Sequence, residues 1–133
     1  MHNSNRYGEE DIRKKRGYLH VAHSFLISND PEYFSKYEQL YDATMNTNSV
    51  LSIKVRELIA IALLASRGQY DALKLHIKRA LDNNASVSEI IESLKIAMFY
   101  VGAPSLMYGI EKLIEYLREK NMIDEKTLSL LSY

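Results

Sequence analysis

SIKVRELIAIALLASRGQYDALKLHIKRALDN, residues Ser52 to Asn83, carries two helical patterns on either side of one glycine. From Leu58 to Ala65 the side chains are apolar all round, which predicts a central helix covered on every side. Ser52 is a candidate N-cap for that helix and Gly68 its left-handed stop. Beyond the turn the pattern becomes amphipathic. Ala72, Leu73, His76, Ile77, Ala80 and Leu81 share one stripe, with Lys74, Lys78, Arg79 and Asp82 opposite. Two such segments joined by a tight turn predict an antiparallel helical hairpin of about 52–83.

Working outward, helix signals continue in both directions. A first helix is expected from about Glu10 to Ser28, with Gly17 as a weak point, behind a flexible N-terminus of residues 1–9. Asp30-Pro31 restarts the chain as cap and first helical residue. The helix that follows carries Phe34, Tyr37, Tyr41, Thr44 and Met45 on one face. Downstream, Ser86 and Glu89 form a capping box that opens a helix with Ile90, Ile91, Leu94, Ala97, Met98 and Val101 inward. Gly102-Ala103-Pro104 interrupts it. A sixth helix then buries Leu106, Ile110, Leu113, Ile114 and Leu117, and Asp124 caps a short terminal helix bearing Leu128 and Leu131. The expected architecture is all-α, a bundle of six to seven helices in a single domain of residues 10–133.

Composition excludes several functions. The 133 residues include no cysteine, so the chain offers no thiol nucleophile, redox disulfide or thiolate metal site. Seventeen basic residues balance seventeen acidic ones, which argues against general binding of nucleic acid. The longest apolar run is eight residues, against the roughly 20 that span a bilayer. Nor does the N-terminus carry the apolar core of a signal peptide. A soluble cytoplasmic protein, with no nucleic-acid or membrane partner, is the expectation.

Two polar residues stand in apolar surroundings. His76 lies mid-stripe, and Glu57 immediately precedes the apolar run. Glu57 is eleven residues before Gly68 and His76 eight after it, so a hairpin brings both to similar depth. A carboxylate beside an imidazole fixes its tautomer and suits it to proton transfer. The same spacing also describes a core histidine satisfied by a buried glutamate, the commoner case for such pairs.

The segment from Lys54 to about Leu113 resembles the carboxymuconolactone decarboxylase family, which includes the alkylhydroperoxidase D-like proteins. The resemblance rests on Arg56-Glu57-Leu58, Gly68, Leu75-His76, Arg79-Ala80-Leu81, Ser86 with Glu89-Ile90, and Tyr100-Val101-Gly102-Ala103-Pro104. It implies a fold of the alkylhydroperoxidase D-like type, with Glu57 and His76 at the family's glutamate and histidine. The peroxidase branch's two cysteine positions fall on Gln69 and Ala72, which excludes thiol peroxidase chemistry. The decarboxylase branch, which also lacks that pair, is the better match. It implies cofactor-independent decarboxylation of a carboxylated lactone in aromatic-compound degradation, with His76 as proton donor and Glu57 orienting it. Arg56 is then a candidate for holding a substrate carboxylate, and Gln69, Tyr70 and Tyr100 are candidates for lining the pocket.

A second function class stays open: a non-catalytic oligomeric scaffold, or a small-ligand-binding protein, with Glu57–His76 as a structural pair. Ten tyrosines exceed what a small core needs and suit interfaces, and the resemblance implies a homo-oligomer, trimer or hexamer. The partner expected at the site is a small acidic organic molecule. His20 and His23 are spaced to share a metal, but no third ligand is evident, so no metal site is expected. Arg13-Lys14-Lys15-Arg16, flanked by acids, reads as a solvated helix face.

Overall fold

A computed structural model describes residues 7–124, which form seven helices and no strand. The terminal helix expected after Asp124 and most of the N-terminal segment expected to be flexible fall outside the described residues. Backbone contacts divide the chain into two compact units, 1–56 and 57–133, with the boundary inside the fourth helix.

In the first unit, Gly17 turns one expected helix into two. Helix α1 (Glu9–Arg16) ends there because Gly17 takes a left-handed φ of 80° and its N–H closes on the Arg13 carbonyl. Its acids lie in the first turn and its bases in the last, as the helix dipole favours. Helix α2 (Val21–Asn29) then starts on a cap made of histidines. His20 Nδ1 accepts from the Ala22 N–H at 3.0 Å, and His23 Nδ1 accepts from the His20 N–H at 3.2 Å. Helix α3 (Pro31–Met45) begins as expected, Asp30 accepting from the Tyr33 N–H at 3.3 Å. Its buried face is turned from the predicted one: Phe34 and Glu38 are buried, while Tyr37 is 45% exposed. Glu38 is drawn inward because Arg16 and Lys15 of α1 both pair with it. The basic run is therefore solvated only in part.

Helix α4 (Ile53–Ser66) is capped by Ser52, whose Oγ accepts from the Val55 N–H at 3.2 Å. It is not covered on every side. Glu57, Ile61 and Ala65 are buried at four-residue spacing, while Ile59 and Leu63 are 46% and 61% exposed. A run without polar residues carries no periodicity, so its sequence does not reveal which face the core takes.

The second unit continues through the turn at Gly68, whose φ is 69°. It contains α5 (Tyr70–Asp82), α6 (Val87–Val101) and α7 (Ala103–Glu119). Ser86 and Glu89 make the expected capping box, at 3.0 and 2.9 Å. Helix α7 starts earlier than expected, because Gly102 alone makes the turn and Pro104 fits the first helical turn. Val101, expected inward, is exposed. The core packs Ile61, Leu73, Ile77, Ile90, Leu94 and Leu113, with Gly109 of α7 admitting the Leu94 side chain. The closest backbone packing is α6 on α7 and α5 on α7. Helix α4 meets α5 through longer side chains, and these form the site. No described helix is long and apolar enough to cross a membrane.

Candidate functional site

On α5 the apolar residues Leu73, Ile77 and Ala80 are fully buried. His76 flanks that stripe and Arg79 follows one turn later, so both side chains leave the helix on neighbouring lines. On α4, Glu57 is fully buried, on the same line as Ile61 and Ala65. An isolated carboxylate there would be costly to desolvate. Both of its oxygens are engaged. Oε1 lies 2.6 Å from His76 Nδ1, and Oε2 accepts from Arg79 Nε at 2.8 Å.

This arrangement defines what the imidazole can do. A carboxylate on Nδ1 places the neutral ring's proton on that nitrogen and leaves Nε2 with its lone pair. The His76 side chain is 18% exposed, against none for Glu57 and 7% for Arg79. Among the described residues no other hydrogen bond to the ring is found. The structure thus joins a fully buried carboxylate to a histidine whose side chain stays partly exposed. That is the geometry of a general acid–base group.

The remaining sequence candidates are placed differently. Arg56 donates from Nε to the Thr47 and Leu51 carbonyls at 2.9 and 3.1 Å, and from Nη1 to the Thr44 carbonyl at 2.9 Å. Its Nη2 donates to the Ser49 carbonyl. The guanidinium is committed to organising the turn after α3, where Val50 takes a φ of 65°. Tyr70 donates its hydroxyl to the Pro104 carbonyl at 3.4 Å and packs its ring 5.3 Å from that of Tyr108. Gln69 is exposed at the start of α5, with no side-chain cap bond. Tyr100 is 79% exposed beside Phe99. Neither Gln69 nor Tyr100 joins the Glu57–His76 pair in the described contacts.

Arg79 is the residue that the sequence reading put on the wrong face: expected among the solvated bases, it is buried against Glu57. Its three-residue spacing from His76 was the available signal. Lys74 and Lys78 do face outward, pairing with Glu115 and Glu119 and with Asp82. Among the described residues no group of three or more His, Asp or Glu is placed to hold a metal ion. His20 and His23 instead spend their Nδ1 atoms on the α2 cap.

The profile of the carboxymuconolactone decarboxylase family matches residues 31–131, a span containing Glu57, His76 and Arg79. The chain belongs to this family. A similar protein from Cupriavidus necator, itself uncharacterised, is 31% identical over 103 residues, covering 77% of this chain and 90% of its own. An uncharacterised protein of Methanocaldococcus jannaschii is 24% identical over 87 residues, 65% of this chain and 80% of that one. In fold, the chain resembles a crystal structure from Burkholderia xenovorans that is described provisionally as a carboxymuconolactone decarboxylase. The TM-score is 0.73 at 21% identity, covering 90% of this chain and 95% of that one. The sequence contains no cysteine.

Proposed function

We propose that this protein is a cofactor-independent decarboxylase acting on a small carboxylated lactone, with His76 as the proton donor. The observation carrying this reading is the Glu57–His76 contact, a fully buried carboxylate on Nδ1 of a histidine whose side chain stays partly exposed. In the reaction, the bond from the lactone ring to its carboxylate breaks and the carboxylate leaves as CO₂. The electron pair stays on the ring carbon and is taken up by the neighbouring unsaturation. His76, having first taken a proton from solvent at Nε2, delivers it to that carbon and returns to the neutral ring, and Glu57 holds the imidazole in orientation throughout. Gln69 and Tyr70, two turns before His76 on the same helix, are retained as lining residues. Arg56 is no carboxylate clamp, because its fork is spent on backbone carbonyls. Tyr100 fits an interface better.

The working form is proposed to be a homo-oligomer in the cytoplasm. Ile59 and Leu63 on α4, and Ile96, Phe99 and Tyr100 on α6, leave large apolar side chains in water, as an uncovered interface would. The same surface supports the second reading, an assembly scaffold in which Glu57–His76 is structural.

A panel of carboxylated lactones, followed by CO₂ release, separates the two. The unmodified protein is expected to turn over at least one of them. His76→Ala is expected to lose about 100-fold or more of that activity, with unchanged far-UV dichroism and elution volume. No turnover by the unmodified protein anywhere in the panel, or full activity in His76→Ala, contradicts the enzymatic reading.

A further inference from the structure

We infer that Arg79 is a positioning residue: it supplies the fixed counter-charge to Glu57, and so leaves His76 free to gain and lose a proton at Nε2. This rests on the reading of His76 as an acid–base group and assigns a role to a side chain that does not itself meet substrate.

Glu57 is fully buried. A carboxylate with no exposure must find a cation or give up its charge. Two basic groups touch it, and they are not equivalent. Arg79 stays protonated at any working pH, whereas an imidazole exchanges its proton in the physiological range. With Arg79 Nε on Oε2, the carboxylate has a partner that never leaves, and His76 is asked only for a hydrogen bond on Oε1. The guanidinium and the imidazole also hold the two oxygens from separate directions, which fixes the plane of the carboxylate and through it the ring.

Without Arg79, one proton would settle on the Glu57–His76 pair. If it rides on the imidazole, Nε2 carries a hydrogen. If it moves to the carboxyl, that O–H donates to Nδ1 and the neutral ring again carries its hydrogen on Nε2. Either way the nitrogen that must take up and release a proton is frozen. No other cation on α5 is placed to substitute. Lys74 pairs with Glu115 and Glu119 of α7, and Lys78 with Asp82. The charged groups joined to His76 in the described contacts are Glu57 of α4 and, through it, Arg79 of the same helix.

The test needs no substrate. Diethyl pyrocarbonate acylates only an imidazole nitrogen that lacks hydrogen, and peptide mass spectrometry isolates the His76 product from those of the other histidines. At pH 7, acylation of His76 is expected to be about tenfold slower in Arg79→Gln than in the unmodified chain. Arg79→Lys, which keeps the charge, is expected to restore the rate to within about twofold. Adding Glu57→Gln to Arg79→Gln is expected to restore it as well, because no charge is then left to balance. Equal rates in Arg79→Gln and the unmodified protein overturn the inference, as does slowing that persists in the double variant. Should Arg79→Gln fail to fold, nitrogen-15 correlation spectra of the unmodified protein decide at mildly alkaline pH. A His76 ring protonated on Nδ1 and bare at Nε2 supports the role, and the opposite tautomer overturns it. Absence of decarboxylation would sink the proposed reaction without touching these readouts.

Discussion

The chain builds the same device twice and uses it differently. In the first unit, Glu38 is fully buried and holds Arg16 and Lys15, the latter at 2.8 Å. In the second, Glu57 is fully buried and holds Arg79 at 2.8 Å and His76 at 2.6 Å. Around Glu38 both cations are permanent. Burial alone would lower the pKa of Arg16, but the hydrogen bond and charge of Glu38, with help from Tyr18, outweigh it and the net shift is upward. Arg16 is further covered by the Tyr41 ring, 3.7 Å away, and Lys15 also reaches Asp42 at 3.0 Å. Such a cluster contains no imidazole. Replacing one permanent cation with an imidazole that is partly exposed turns a structural anchor into a candidate catalytic group. What distinguishes the two regions is therefore the second base, and where its outer atom lies.

Several substitutions put pressure on this contrast. The largest stability effect is expected at the structural cluster. Glu38→Ala leaves Arg16 buried without its carboxylate and should cost about 3–5 kcal/mol, read from the denaturant midpoint. A loss below about 1 kcal/mol would mean that the first cluster is no anchor. Next comes the close approach in the second unit. A Cβ at Gly109 would stand 2.5 Å from Leu94 Cδ2, so the fully buried Leu94 side chain has to shift. Overpacking of about 1–3 kcal/mol, offset by about 1 kcal/mol of gained helix propensity, predicts a net loss of about 1 kcal/mol for Gly109→Ala. The smallest effect is a pH dependence. His23 is buried and its pKa lies below the ordinary histidine value of 6.5, first through burial and then through the Arg16 charge. An unfolded chain then binds this proton more readily than the folded one, so stability present above pH 6.5 is lost as acid is added. The denaturant midpoint should fall between pH 7.5 and pH 5, and fall less in His23→Gln. An equal fall in both would remove His23 as the cause.

Much of the architecture was legible because its signals are local. Asp30-Pro31, Ser86 with Glu89, and Gly68 each fix a helix end through their own backbone chemistry, and each is found where expected. What escaped depends on partners distant in sequence. Gly17 reads as a weak point in one helix until its neighbours allow it to terminate α1. Glu38 looks like an ordinary polar residue, since nothing near it in sequence announces that Arg16 and Lys15 will draw it inward. Leu58 to Ala65 hides its own buried face, because every residue there would be content in a core. The Glu57–His76 pair was readable for the opposite reason: two polar groups amid apolar neighbours need each other. Arg79 was not, because a long side chain at the edge of a stripe can turn to water or to the core, and only Glu57 decides which.

The most direct test compares the two clusters in one assay, measuring CO₂ release from a carboxylated lactone by His76→Gln and by Glu38→Gln, each corrected for its folded fraction. The account predicts that His76→Gln is inactive while fully helical, and that folded Glu38→Gln turns over like the unmodified protein. Turnover surviving in His76→Gln, or disappearing equally from both, would contradict it.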